Sequence, residues 1–132
     1  KIDDHYATFA ALKHYNASST GGAHGMYGMG YTYFDKASGK ELNLKDFVRV
    51  DNNLLKLAES MFRKSVRIQA NTPFEDTEFF FEEGFYLPDN FEITAKEIRF
   101  IYNPYEVSNW ANGMVAFSIP LRQIKPYLKR AV

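Results

Sequence analysis

The sequence contains no cysteine, so neither disulfide bonds nor thiol chemistry can contribute to its fold or its function. It also lacks any run of about 18 apolar residues, and no transmembrane helix is therefore predicted. The formal net charge is zero, from 16 basic and 16 acidic residues. This balance gives no overall electrostatic signature of a protein that binds DNA or RNA.

Aromatic residues are abundant instead. They make up 17% of the 132 residues, with 12 Phe and 9 Tyr against a single Trp. A chain of this length can bury about two thirds of its unfolded surface, so we expect one domain, residues 1–132, with a core rich in Phe and Tyr. Because the chain begins at Lys1 without methionine and leads directly into a strand-like segment, we expect it to be part of a longer protein.

The first part of the chain predicts a hairpin. Residues 6–15 and 26–34 mix aromatic and small residues as strands do, and the Gly-rich segment 21–25 between them requires backbone freedom. Gly28 and Gly30 predict bulges or a close approach of another group to the backbone. A polar turn closes on Gly39, and we expect a short extended segment through Leu42 and Leu44.

The clearest helix is predicted from about Asn52 to Gln69. Asp51 or Asn52 is a suitable N-cap, and apolar residues then recur at spacings of three and four. This stripe, which we expect to cover one face of a sheet, comprises Leu54, Leu57, Ala58, Met61 and Phe62. The basic side chains outside it are expected to be solvated, with a polyanion site as the alternative; they are Lys56, Arg63, Lys64 and Arg67.

The remaining chain predicts further strands and a short terminal helix. Residues 75–83 are expected to form a short helix or strand with the Phe side chains inward and the acidic ones in water. Residues 91–94 and 98–102 predict a hairpin, and 103–112 a turn or short helix that contains Pro104. Residues 114–119 predict a last strand before a helical piece from Pro120 to Leu128. The predicted fold class is α+β: a mainly antiparallel sheet with one long helix packed on one face and a short C-terminal helix.

No set of catalytic residues can be assembled from the sequence. The histidines are His5, His14 and His24, none at metal-ligand spacing, and no Ser lies in a nucleophile motif. One alternative is a metal site in which His14 and His24 meet across the hairpin and recruit Glu106. The simpler interpretation is that His24 hydrogen-bonds the turn backbone or a carboxylate. We therefore expect no cofactor, no metal and no enzymatic activity.

The surplus of aromatic residues is the remaining functional indication. Tyrosines beyond those a core needs predict an exposed patch for contact with a protein or a glycan, although tyrosines also occupy sheet edges. The candidates are Tyr31, Tyr33, Tyr102 and Tyr105, with Trp110 as a further anchor.

Several short motifs carry a family resemblance. They are Gly21-Gly22-Ala23-His24, Tyr33-x-Asp35 with Gly39-Lys40-x-Leu42-x-Leu44-x-Asp46-Phe47, Leu87-Pro88-Asp89-Asn90-Phe91-x-Ile93-Thr94, Phe100-x-Tyr102-Asn103-Pro104-Tyr105-Glu106-Val107, Ala111-x-Gly113 and Ile119-Pro120-Leu121. In this order they resemble a bacterial domain of unknown function that forms the C-terminal part of the RsiV anti-sigma factor and follows PdaC-type deacetylase modules in exported proteins.

The resemblance implies an α+β fold in a bacterial cell-envelope protein. Residues 1–132 would then be the C-terminal part of an exported protein, extracytoplasmic and held at the membrane only through an anchor before Lys1. RsiV senses lysozyme, so the resemblance suggests a lysozyme-like protein or a cell-wall glycan as partner, and no nucleic acid.

We expect from these observations a non-catalytic binding or sensory module, with an accessory domain of a cell-wall polysaccharide deacetylase as the alternative. The oligomeric state is not predicted. We also expect the Gly21–Gly25 turn to pack against the Asn103–Glu106 turn, with His24 near Tyr105 or Glu106. The candidate site residues are Gly21, Gly22, His24, Tyr31, Tyr33, Asn103, Tyr105, Glu106 and Trp110.

Overall fold

The computed structural model describes residues 2–18, 26–109 and 113–132, with backbone alone for 16–18 and 26–28. The strands are β1 (Ile2–Asp3), β2 (Phe9–Ser18), β3 (Met26–Asp35), β4 (Glu41–Leu42), β5 (Asn90–Ile93), β6 (Glu97–Tyr102) and β7 (Val115–Pro120). The α-helices are α1 (Leu44–Phe47), α2 (Asn52–Ser65) and α3 (Leu121–Ile124), with 3-10 turns at Phe74–Asp76 and Lys125–Tyr127. This architecture confirms the α+β class, although the described helices other than α2 are each a single turn.

The predicted N-terminal hairpin is confirmed. β2 and β3 pair in one antiparallel register from Phe9 opposite Asp35 to Ser18 opposite Met26, without a bulge. The bulges predicted at Gly28 and Gly30 are therefore wrong. The close approach is present at Gly30, where an added Cβ would lie 2.0 Å from the His14 ring. The absence of a side chain at Gly30 thus makes room for His14.

The strands form two antiparallel sheets, ordered β1-β2-β3-β4 and β5-β6-β7. The predicted hairpin of residues 91–94 and 98–102 is β5 and β6 of the second sheet. Tyr33 joins the sheets: its hydroxyl donates to the Phe91 carbonyl at 2.8 Å and accepts the Ile93 N–H at 3.1 Å. The hydroxyl of Tyr6 donates to the Ile93 carbonyl at 2.7 Å. Hydrogen bonds from side chains thus connect the two sheets, in place of backbone–backbone hydrogen bonds between β3 and β5.

Helix α2 begins as predicted. The side chain of Asp51 accepts the Leu54 N–H at 2.9 Å, which satisfies one of the unpaired donors at the helix start. The helix packs on β7 of the second sheet. Leu54, Ala58 and Phe62 are buried, whereas Leu57 and Met61 are half-buried at the margin of the core.

Phe62 lies at the centre of an aromatic cluster. Its ring centroid is between 5.2 and 6.1 Å from six other aromatic rings: Phe74, Phe79, Phe81, Phe85, Tyr102 and Phe117. Most of these pairs are edge-on, the geometry that the ring quadrupoles favour. The predicted Phe- and Tyr-rich core is therefore confirmed.

Helix α2 ends at Ser65 rather than at Gln69. The N–H of Ile68 donates to the Arg63 carbonyl at 2.9 Å, and the N–H of Arg67 donates to the Lys64 carbonyl at 3.4 Å. These bonds form a Schellman motif, in which the residue after the C-cap adopts positive φ. Arg67, at φ 61°, takes the place that glycine usually occupies.

The prediction that the basic side chains of α2 are solvated is wrong for Arg63. This side chain is only 8% exposed, and its guanidinium lies 4.1 Å from the centroid of the Phe74 ring. It donates to Glu59 at 2.9 Å and to the carbonyls of Gln69 and Thr72 at 2.9 and 2.7 Å. Arg63 holds the loop after the helix, so it is a structural residue and not part of a polyanion site.

The extended segment predicted through Leu44 is also shorter than expected. β4 contains Glu41 and Leu42 only, and Leu44 begins α1. The side chain of Asp46 accepts the Asn43 N–H at 2.7 Å, as in a capping box, and thereby turns the chain into a helix. In the part of the chain that the structure describes, no helix is long and apolar enough to span a membrane.

Candidate functional site: an aromatic and acidic surface

The structure separates the predicted site residues. Tyr33 is 1% exposed and Tyr102 is fully buried, so their prediction as exposed anchors is wrong: the Tyr33 hydroxyl joins the sheets, and the Tyr102 ring packs on Phe62. Tyr31 is half-buried, and burial, together with Glu92, raises its pKa to about 12. Tyr105 and Glu106 lie on an exposed surface elsewhere.

Four predicted residues lie outside the described part of the chain. They are Gly21, Gly22, His24 and Trp110. The predicted contact between the Gly21–Gly25 turn and the Asn103–Glu106 turn, and with it the position of His24, stays a prediction.

The segment after the 3-10 turn at Phe74–Asp76 presents one aromatic side chain to solvent. Phe79 and Phe81 are buried, whereas Phe80 between them is 45% exposed. The N–H of Phe80 donates to the Val107 carbonyl at 2.9 Å. Because successive side chains of an extended segment alternate in direction, fixing the backbone here sends Phe79 and Phe81 inward and Phe80 outward.

The predicted turn at Asn103 is confirmed. The N–H of Glu106 donates to the Asn103 carbonyl at 3.0 Å, and Pro104 and Tyr105 occupy the two central positions. Tyr105 has φ 70°, which fits a type II turn, where glycine is usual at this position. A bulky residue in this conformation costs about 1–2 kcal/mol. Residues held in such conformations cluster at binding sites, which makes Tyr105 a candidate contact residue.

Glu106 fixes the same turn through its side chain. Its Oε1 atom accepts the Asn103 N–H at 3.0 Å, and its Oε2 atom accepts the Tyr86 hydroxyl at 2.9 Å. Burial and the Glu106 carboxylate both raise the pKa of Tyr86, because an ionised phenol would be poorly solvated and would face a negative charge. The turn and the segment before β5 are thus joined into one rigid surface.

Together these residues form what we call the aromatic–acidic surface: Phe80, Glu82, Glu83, Tyr86, Tyr105 and Glu106. They line an open cleft of about 360 Å³. Among the described residues six large hydrophobic or aromatic side chains are exposed, and three of them lie here, with exposures of 45% (Phe80), 39% (Tyr86) and 45% (Tyr105). Exposed aromatic side chains gathered in one place mark an interaction site more than scattered ones do.

The charge around this surface is of one sign. A second cleft, of about 680 Å³, adjoins it, shares Phe80 and Glu82, and adds Glu75. Among the described residues, no Lys or Arg side chain lines either cleft. The sequence from residue 75 to 92 carries seven acidic residues and no basic one. The chain as a whole has a net charge of zero, but this region of it is acidic.

The described residues contain no group of three or more His, Asp or Glu side chains placed to hold a metal ion. In the alternative metal site, the Nε2 atom of His14 lies 3.2 Å from the Thr32 hydroxyl, and both carboxylate oxygens of Glu106 are engaged as above. His24, the third member, is not among the described residues.

Sequence reasoning missed Phe80 and Tyr86 as surface residues. It placed all three phenylalanines of 79–81 inward, although a period-two alternation in the run would have directed the middle one to solvent. No local sequence pattern indicates that Tyr86 lies at the surface, because its hydroxyl is held by a hydrogen bond to Glu106, 20 residues away.

Two solved structures of bacterial proteins share the fold of this chain. The crystal structure of a DUF3298 family member from Bacteroides fragilis is 24% identical, with a TM-score of 0.81, over 98% of this chain and 52% of the other. That of a DUF3298 family protein from Pseudomonas aeruginosa is 20% identical, with a TM-score of 0.72, over 98% and 59%. These likenesses support the fold alone, and the chain spans little more than half of each.

Two further comparisons concern the sequence. A search of curated proteins finds no match to this chain. The family model described as "Protein of unknown function (DUF3298)" matches residues 45–122, more than half of the chain, including the whole aromatic–acidic surface. The chain therefore belongs to the DUF3298 family.

Proposed function

We propose that this domain is a non-catalytic binding module that docks a cationic protein on the aromatic–acidic surface. The observation that carries the proposal is the grouping of three exposed aromatic side chains with three carboxylates around one cleft. Protein-binding sites concentrate their energy in a few aromatic anchors, and Tyr is among the commonest of these.

The charge of the surface selects the class of partner. Glu82, Glu83 and Glu106 border the aromatic rings, and no Lys or Arg in the described part of the chain lines the cleft. Lys and Arg side chains of a partner would gain attraction from the carboxylates and from the faces of the rings. Another acidic protein or a nucleic acid would be repelled.

The rigidity of the surface favours binding over a merely solvated loop. Phe80 is fixed through Val107, and Tyr86 through Glu106, while Tyr105 follows a proline in a hydrogen-bonded turn. A backbone that is already fixed in this way loses little conformational entropy when a partner arrives.

The resemblance to the C-terminal domain of RsiV supports a more specific form of this proposal. RsiV senses lysozyme, which is a cationic protein, so lysozyme is the first partner to test. On the same basis we propose that the domain belongs to a cell-envelope protein and lies outside the cytoplasm. The alternative is an accessory domain beside a PdaC-type polysaccharide deacetylase, and the full-length reading frame distinguishes the two.

Calorimetry with a purified lysozyme tests the proposal. We expect wild-type domain to bind, and Tyr105→Ala to weaken binding by about 30-fold, the effect of losing a strong anchor. Glu82→Gln combined with Glu83→Gln should weaken binding at low salt more than at high salt, because salt screens exposed charges. Tyr15→Ala removes an exposed tyrosine of β2, far along the sequence from the surface, and serves as the matched control.

Three results would contradict the proposal. Equal binding by wild-type and Tyr105→Ala domains would exclude the surface, and equal binding of an unrelated cationic protein would reduce the interaction to charge alone. Metal-dependent hydrolysis of acetylated glycans by the isolated domain, abolished by His24→Ala, would show that the domain is an enzyme.

A further inference from the structure

A separate cleft of about 600 Å³ follows the edge of β3 beyond the end of β4. β4 pairs with β3 only opposite Tyr33 and Phe34. Residues 29–32 of β3 therefore face the cleft on this side, with residues 41–44 and 89–91 along its walls and His14 and Asn103 at its margin. The cleft has the size of a small-molecule site.

Two asparagine side chains occupy the place of a neighbouring strand. Asn90 accepts the Tyr31 N–H at 3.0 Å through Oδ1 and donates to the Met29 carbonyl through Nδ2. Asn103 accepts the Met29 N–H at 3.2 Å through Oδ1. Because a backbone N–H can bond only the oxygen of an amide, these contacts fix the orientation of both side chains.

The fixed orientation leaves donors at the cleft. With its oxygen on Met29, Asn103 has a side-chain NH₂ group for which no partner is seen among the described residues. Asn90 has a second N–H besides the one that it gives to Met29. Both side chains line the cleft, so a ligand would meet positioned amide donors.

Acceptors lie in the same cleft. Glu41 and Asp89 contribute exposed carboxylates, and Thr32 contributes a hydroxyl. Of the residues that the structure describes, no Lys or Arg lines the cleft. An anionic ligand would therefore be repelled, and a neutral or amine-bearing one accepted. A ligand rich in hydroxyls fits this lining, because each hydroxyl can accept from an amide and donate to a carboxylate.

We propose that this cleft binds a short saccharide that is neutral or carries an amino group. The ring hydroxyls would accept from the Asn103 and Asn90 amides and donate to Glu41 and Asp89. The site is distinct from the aromatic–acidic surface and shares no lining residue with it. Saccharide binding by the wild-type domain can therefore be measured separately from partner binding, although Asn103 also begins the turn that carries Tyr105.

Nuclear magnetic resonance titration of the wild-type domain tests the proposal directly. The probes are three trisaccharides: chitotriose, which is neutral, its fully deacetylated form, which is cationic and has the same linkages, and trigalacturonate, which is anionic. We expect the first two to shift the resonances of Tyr31, Thr32 and Asn103 at up to about 10 mM, and the third to have no effect. An absence of shifts with all three, shifts confined to the aromatic–acidic surface, or equal binding of trigalacturonate would overturn the proposal.

One isosteric variant tests the donor. Asn103→Asp keeps an oxygen for the Met29 N–H but removes the NH₂ group, so the affinity for neutral chitotriose should fall by about tenfold or more. Asn71→Asp, at an exposed turn, is the matched control. If Asn103→Asp does not fold, Glu41→Gln with Asp89→Asn provides a second test, since it should weaken the cationic probe and spare the neutral one. Unchanged affinity in either informative variant would contradict the assignment.

Discussion

The hydroxyl of Tyr86 lies 2.9 Å from the Oε2 atom of Glu106. The other carboxylate oxygen of Glu106 accepts the N–H of Asn103, at the start of its own turn. One side chain thus fixes the turn that carries Tyr105 and attaches it to the segment before β5. The same carboxylate contributes to the acidic character of the surface, so a single residue serves both its geometry and its charge.

Replacing this carboxylate should lower the pKa of Tyr86. Burial is the largest cause of the raised value, and the hydrogen bond and charge of Glu106 come next. In Glu106→Gln we expect Tyr86 to ionise at lower pH than in wild type, though still above its ordinary value. Spectrophotometric titration, with Tyr86→Phe to assign the transition, measures the change. An unchanged titration would show that the bond does not form in solution.

Comparing glycine with alanine at position 105 should distinguish the effect of this residue on the stability of the domain from its effect on lysozyme binding. Tyr105 has φ 70°, where glycine lacks the steric penalty of other residues. Tyr105→Gly should therefore be about 1 kcal/mol more stable than Tyr105→Ala in denaturant unfolding. Both variants should lose lysozyme binding to the same extent, because both lack the ring. Retained binding in the glycine variant would show that the ring is not an anchor.

The elements that could be predicted from the sequence are those with local causes. The hairpins follow from alternating aromatic residues around turns, and α2 follows from Asp51 and its apolar stripe. The division into two sheets could not be predicted, because it depends on the hydroxyl of Tyr33 reaching β5, about 60 residues further along. The burial of Arg63 depends in the same way on Phe74 and on carbonyls of the following loop.

The candidate surface was only half predictable for the same reason. Tyr105 and Glu106 belong to a turn that Pro104 indicates, so they were recognised. Phe80 is indistinguishable in sequence from its buried neighbours until Val107 fixes the backbone beside it. Asn90 and Asn103, in the cleft beside β3, accept from the N–H groups of Tyr31 and Met29. These partners lie about 60 and 74 residues earlier in the chain, so no local sequence pattern predicts the contacts.

The C-terminal end of α2 offers a stabilising substitution. Arg67 has φ 61° in a Schellman motif, so Arg67→Gly should relieve backbone strain and raise the free energy of unfolding by up to about 1 kcal/mol. Arg67→Ala keeps the strain and should bring no such gain. Denaturant unfolding of the two variants measures the difference, and a glycine variant less stable than the alanine one would contradict the assigned motif.

The last prediction concerns acid stability. Asp35, in β3, accepts from Arg130 near the C-terminus at 2.8 Å and from Ser38. The Arg130 guanidinium, followed by the bonds from Ser38, lowers the pKa of Asp35 from 3.8 to about 2. A group whose pKa is lowered by folding stabilises the protein above its unfolded pKa, and this contribution disappears as the pH falls through the folded one.

We therefore expect Asp35→Asn to be less stable than wild type at neutral pH, and the difference to shrink as the pH falls from 3.8 to about 2. Arg130→Gln should show the same convergence, because it removes the main cause of the shift, whereas Asp4→Asn, at an exposed position, should not. Denaturant midpoints at several pH values measure these differences. A difference that stays constant down to about pH 2 would mean that the Asp35 carboxylate gains nothing from Arg130 in the folded protein.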